Sequence, residues 1–187
     1  MAASLFILGG ARSGKSRFAV SGLAARARVT YIATAQAGDA DMAARIARHQ
    51  AERSPHWGTV EAPYDLVPQL GRALATADTV VVDCLTVWVA NLMLRGDADE
   101  TILKDADAVA ELAAAPHVEL RLVSNEAGLG VHPPTADGLR FRDVLGLVNQ
   151  RVAAASSRVV LMVAGLPHML KDTPPGSPFD APSHEAP

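Results

Sequence analysis

The sequence predicts an α/β fold, with a mainly parallel central sheet flanked by helices, and two features carry that prediction. Short β-branched or aliphatic runs alternate with longer Ala-, Arg- and Leu-rich stretches of helical spacing, the pattern of repeated strand–helix units. The runs are apolar at successive positions rather than at alternate ones, as in strands covered on both faces. With 187 residues, 49% of them hydrophobic and 20% charged, the chain suits one domain that buries a substantial core.

Taken in order, a strand over residues 5–8 runs into a glycine pair and leads to a helix over 15–26. A strand over 29–33 follows, then a polar, arginine-rich helix over 41–53 and a weaker strand near 59–61. Helices over 66–74 and 86–94 bracket a strand over 79–83. The stretch 96–100 reads as a surface connection to a helix over 102–114, after which come a strand over 119–124, a helix over 139–155 and a strand over 158–163. Each helical stretch sets apolar residues three to four apart, beside charged ones in all but the stretch over 86–94. From 172 to 187 the chain holds five of its 12 prolines and almost no aliphatic residue, too little apolar surface to offset the entropy of ordering. One domain over 1–171 and a disordered tail over 172–187 are therefore expected.

Composition excludes several functions. A net charge of −3 offers no basic field for a phosphate backbone, so nucleic acid is not an expected partner. The single Cys84 rules out an internal disulfide and any zinc cage built on cysteines. No apolar run approaches the roughly 20 residues that span a bilayer, and the amino terminus lacks the charged-then-apolar layout of a signal peptide. A cytoplasmic protein is expected.

Directly after the first strand stands Gly9-Gly10-Ala11-Arg12-Ser13-Gly14-Lys15-Ser16, which satisfies G-x-x-x-x-G-K-[ST] and opens a helix. Glycines let the backbone wrap closely around phosphate oxygens, and the N–H groups at the helix start, aided by the dipole, bind negative charge. Lys15 then reaches the β- and γ-phosphates, and the Ser16 hydroxyl can ligate Mg²⁺. A glycine-rich turn that only caps a helix is the bland alternative; the order strand, motif, helix argues against it. The strand over 79–83 delivers Asp83 at its carboxyl end, where a carboxylate would hold Mg²⁺ directly or through water. Cys84 beside it reads as a small packing residue. His49 lies near the carboxyl end of the arginine-rich helix, and spacing alone gives it no partner and no chemistry.

An ordered set of motifs goes further. Gly9 to Arg17, Tyr31-Ile32-Ala33-Thr34-Ala35, Met42-Ala43-Ala44-Arg45-Ile46 running to His49 and His56-Trp57, Thr59-Val60-Glu61, Val82-Asp83-Cys84-Leu85-Thr86 with Asn91-Leu92, Ser124-Asn125-Glu126-Ala127-Gly128-Leu129-Gly130, Phe141-Arg142-Asp143 and Val148-Asn149-Gln150 resemble the bifunctional adenosylcobinamide kinase/adenosylcobinamide-phosphate guanylyltransferases of cobalamin biosynthesis. The likeness spans nearly all of 5–171. It implies a P-loop NTPase fold of the RecA-like kind, with GTP, ATP and Mg²⁺ as cofactors and adenosylcobinamide and its phosphate as substrates. It also implies a homotrimer.

By the same resemblance, His49 attacks the α-phosphate of GTP and carries GMP as a phosphoramidate, with Lys15 as the second catalytic residue. A neutral imidazole nitrogen is a competent nucleophile near neutral pH, and two displacements give each step an in-line geometry. The nucleotide site so implied comprises Gly9, Gly10, Ala11, Arg12, Ser13, Gly14, Lys15, Ser16, Ala33, Thr34, Ala35, Gln50, Ala51, Glu52, Arg53, Glu61 and Asp83, with Ser16 and Asp83 on the metal. The glycine-rich 125–130 loop, at a strand's carboxyl edge, is expected at the corrinoid or the partner-subunit surface, or else is a loop chosen for tight turning. Gln50 stands where Arg commonly follows the histidine and Ser54 where Pro is usual, which points to weaker or rearranged triphosphate contacts; His132 and Pro134 are unusual in their loop. Two other readings stay open: a single-function P-loop kinase in which His49 is a surface residue, and a GTP-dependent switch, which lacks a guanine-reading Asn-Lys-x-Asp.

Overall fold

The structure is a computed structural model that describes residues 3–26, 28–36, 50, 54–114 and 116–173. Among the described residues there are seven strands: β1 (Ser4–Gly9), β2 (Val29–Ala33), β3 (Gly58–Glu61), β4 (Thr79–Asp83), β5 (Glu119–Val123), β6 (Arg158–Val163) and β7 (Leu166–Asp172). They form one sheet in the order β3-β2-β4-β5-β1-β6-β7, parallel throughout except for the antiparallel β6–β7 pair. The helices of the described residues are α1 (Lys15–Val20), α2 (Leu66–Thr76), α3 (Leu85–Arg95), α4 (Asp99–Ala114) and α5 (Ala136–Ala155).

Successive strand residues point to opposite faces, so the two faces of one apolar strand feed two cores. Phe6, Ile32, Val80, Val82, Leu120 and Leu122 pack under α2, α3, α4 and α5, together with the fully buried Trp88. Leu5, Ile7, Tyr31, Val81, Val123 and Val160 pack under α1 and Leu23. The α/β fold read from the sequence is the fold found, with β5 lying between the phosphate-loop strand β1 and the Asp83 strand β4.

Three differences have local causes. The helix expected over 15–26 stops at Val20: the Ser21 hydroxyl and N–H both donate to the Phe18 carbonyl, and Gly22 takes φ +73°. The connection expected at 96–100 is shorter, because Asp99 and Glu100 begin α4, where carboxylates complement the positive helix end. Strand β7 has no counterpart among the expected strands. It is exposed almost throughout and carries Pro167, yet Ala164 and Gly165, at φ +51° and +84°, make the two-residue left-handed turn that matches hairpin twist. Asp172, placed in the tail by sequence, closes β7 opposite Arg158, and the Thr173 N–H donates to the Ser157 carbonyl. Residues 174–187 of the expected tail, and all of the 41–53 helix except Gln50, lie outside the described residues.

Candidate active site

The parallel strands bring their carboxyl ends to one edge, the edge where open α/β sheets bind ligands. There the 9–16 segment leaves β1 as a tight loop, with Gly9 at φ +153°, Arg12 at +56° and Gly14 at +93°. A Cβ on Gly9 would come within 2.6 Å of both the Met162 carbonyl and Ser13 Oγ, so only glycine fits between loop and β6. The loop is braced from outside: the Ser13 carbonyl accepts the Gly165 N–H at 3.0 Å, and the Gly9 carbonyl accepts the Glu126 N–H at 3.1 Å. Lys15 is only 8% exposed, and its ammonium folds back over the loop to donate to the Gly10 carbonyl at 2.5 Å, 3.4 Å from Ser13 Oγ.

Two strands away, the Asp83 carboxylate accepts the Tyr31 hydroxyl at 2.6 Å. The next residue is tied across to β2: Thr34 Oγ1 donates to the Cys84 carbonyl at 2.7 Å and accepts the Cys84 N–H at 2.9 Å. Asn91 of α3 donates to the Thr34 and Pro63 carbonyls, closing the exits of β2 and β3 against α3. Burial, and secondarily the charge of Asp83, push the Cys84 thiol up to about 11, so it is protonated at neutral pH and no nucleophile. Ser16 in the first turn of α1 and Asp83 on β4, against which α1 packs, are hard oxygen donors of the kind Mg²⁺ takes. No group of three His, Cys, Asp or Glu gathers among the described residues, so they form no all-protein metal cage.

Over the carboxyl end of β1 lies a cleft of about 560 Å³, between loop residues 10–13, residues 161–164 of β6 and its turn, and the 126–130 segment after β5. The model of the cobinamide kinase / cobinamide phosphate guanyltransferase family matches residues 5–170. The chain belongs to that family. It is 44% identical over 173 residues to the bifunctional adenosylcobalamin biosynthesis protein CobP of Pseudomonas aeruginosa, covering 90% of this chain and 97% of that one. It is 38% identical over 174 residues to the bifunctional adenosylcobalamin biosynthesis protein CobU of Salmonella typhimurium, covering 87% and 96%. Among solved structures, an ATPase from the type III secretion system of pathogenic bacteria aligns with a TM-score of 0.56 at 11% identity. That alignment covers 89% of this chain but 56% of that one, and it carries the fold alone.

For this family member the structure gathers Gly9–Ser16, Ala33–Ala35, Glu61 and Asp83 along one sheet edge, as parallel pairing of β1 through β5 requires. Thr34 is fully buried with its hydroxyl committed to Cys84, whereas Glu61 is exposed at the end of β3. Gln50 is exposed; His49, Ala51, Glu52 and Arg53 lie outside the described residues. Sequence reasoning missed Tyr31 and Asn91 as supports. The signal for Tyr31 was a phenol inside a mostly apolar strand, which needs a hydrogen-bond partner when buried.

Proposed function

We propose that this family member phosphorylates the alcohol of adenosylcobinamide from ATP or GTP, and then transfers GMP from GTP through a His49 phosphoramidate to give adenosylcobinamide-GDP. The observation that carries the reading is the phosphate loop, with buried Lys15 folded over it, standing on the same sheet edge as Asp83 in a chain matched to the family from residue 5 to 170. Lys15 exchanges the Gly10 carbonyl for phosphate oxygens when a nucleotide enters. Backbone N–H groups from Gly10 to Ser16 hold the triphosphate in line with its acceptor. Ser16 and Asp83 would hold Mg²⁺, which neutralises charge on the phosphoryl oxygens when bound. Tyr31, by donating to Asp83, fixes the direction of that carboxylate.

Ala33–Ala35, Gln50–Arg53 and Glu61 complete the guanine-nucleotide site in this reading. A cytoplasmic homotrimer belongs to it too; Val163, Leu166, Met169 and Leu170, all exposed on the β6–β7 hairpin, are the apolar surface that supports assembly. The test is product analysis. Protein incubated with adenosylcobinamide, Mg²⁺ and either triphosphate should yield adenosylcobinamide phosphate, and with GTP also adenosylcobinamide-GDP and pyrophosphate. Phosphate ester with no GDP product would leave a kinase alone; hydrolysis with neither product would contradict the reading.

A further inference from the structure

Phosphoryl transfer to an alcohol needs an acceptor for the alcohol proton, placed where the oxygen approaches the γ-phosphorus. The cleft beside the phosphate loop has one carboxylate among its described lining residues, that of Glu126; Arg12 supplies the one cation. We propose that Glu126 is the base of the kinase step and that this cleft seats the alcohol arm of the acceptor, an inference that rests on the function proposed above.

Four hydrogen bonds fix Glu126 in place. Its own N–H donates to the Gly9 carbonyl at 3.1 Å, which ties it to the first residue of the phosphate loop. The preceding Asn125 is held at both backbone groups: its N–H donates to Thr86 Oγ1 at 2.6 Å, and its carbonyl accepts the amide of Asn149, buried on α5, at 3.0 Å. Carboxylate oxygen Oε1 accepts the Gly128 N–H at 2.7 Å. The second oxygen, Oε2, makes no hydrogen bond to another described residue and remains an acceptor. The anchor Thr86 lies three residues beyond Asp83, so one short segment sets both carboxylates.

Position and lining point the same way. Asp83 ends β4 and Glu126 follows β5, the strand between β4 and β1, so both carboxylates come to the same carboxyl edge beside the phosphate loop, Glu126 in the cleft that reaches across the loop to β6. Apart from Glu126, Arg12 and Ser13, the lining is aliphatic or glycine, with Leu129 and Val163 exposed at the rim. Such a slot takes a slender alkyl alcohol whose larger body stays outside. In the step, Glu126 Oε2 takes the hydroxyl proton as the oxygen bonds to the γ-phosphorus. The bond from that phosphorus to the β–γ bridging oxygen breaks, nucleoside diphosphate leaves, and the carboxylic acid returns its proton to water.

The second reaction gives an internal control, because its acceptor is an already ionised phosphate oxygen that needs no base. In Glu126→Gln, whose amide oxygen still accepts the Gly128 N–H, the expected result is a fall in kcat for phosphorylation of adenosylcobinamide of tenfold or more, on the order of 10²–10⁴ for a positioned base. KM values stay within threefold, and guanylyl transfer to supplied adenosylcobinamide phosphate is unchanged. A fall smaller than tenfold, or an equal fall in both reactions, would overturn the assignment. Wild-type protein runs beside it: if that also fails to phosphorylate adenosylcobinamide, the function proposed above fails and takes the assignment with it.

Discussion

Asp97, just past the end of α3, illustrates how a single side chain reports on the fold. Its carboxylate pairs with Arg95, which also lies 4.9 Å over the Tyr64 ring, and the guanidinium holds its pKa below the usual carboxylate value. A lowered folded-state pKa adds stability above the unfolded value, and that stability is lost as pH falls through the folded one. Asp97→Asn should therefore cost less than about 1 kcal/mol of stability at pH 7, read from urea unfolding, and the difference should vanish as pH falls through the lowered folded-state pKa. Residue-scale placement was legible in the sequence where a motif fixes it: Lys15 is buried over the loop, Ser16 stands in the first turn of α1 and Asp83 ends β4. It was not legible at Tyr31 or Thr34, because partners 52 and 50 residues away are set by strand pairing.

At the scale of elements, β1, the phosphate loop and α1 work as one device, and the tightest point in it is Gly9. Its Cβ position lies 2.6 Å from the backbone carbonyl of Met162, which cannot swing aside as a side chain can. Gly9→Ala is expected to cost about 2 kcal/mol of stability and to weaken nucleotide binding at least tenfold, measured by denaturation and by calorimetry with GTP. Unchanged affinity would mean that the loop does not form the phosphate site. Strands β1, β4 and β6 were legible because near-unbroken apolar runs mark strands covered on both sides, whereas β3, a short exposed Gly-Thr-Val-Glu, gives only a weak signal. Strand β7 was not: an exposed edge strand with a proline has no core-facing pattern, and the left-handed Ala164-Gly165 turn that creates it is a local backbone event. The early end of α1 was hidden for a similar reason, since the Ser21 hydroxyl that closes it is a side-chain–backbone bond.

For the whole molecule, the sheet order sets β5 and β4 on one side of β1 and the exposed β6–β7 hairpin on the other, with the cleft reaching from the segment after β5 to β6. Leu166 and Val163 are 71% and 57% exposed there, and a second copy of the chain is the partner that the proposed trimer supplies. Light scattering on the purified protein should return about three times 19.5 kDa, and Leu166→Asp with Leu170→Asp should shift it towards one chain. A wild-type mass of one chain would remove the trimer from the account.

The claim that one fold carries two transfers stands or falls on His49. The direct measurement is incubation of the full chain with α-labelled GTP and Mg²⁺, followed by mass spectrometry under alkaline conditions, because phosphoramidates are labile to acid. The account predicts a GMP adduct on His49 that is absent in His49→Ala and is discharged by adenosylcobinamide phosphate. Wild-type protein that forms adenosylcobinamide-GDP with no adduct at any stage would contradict it.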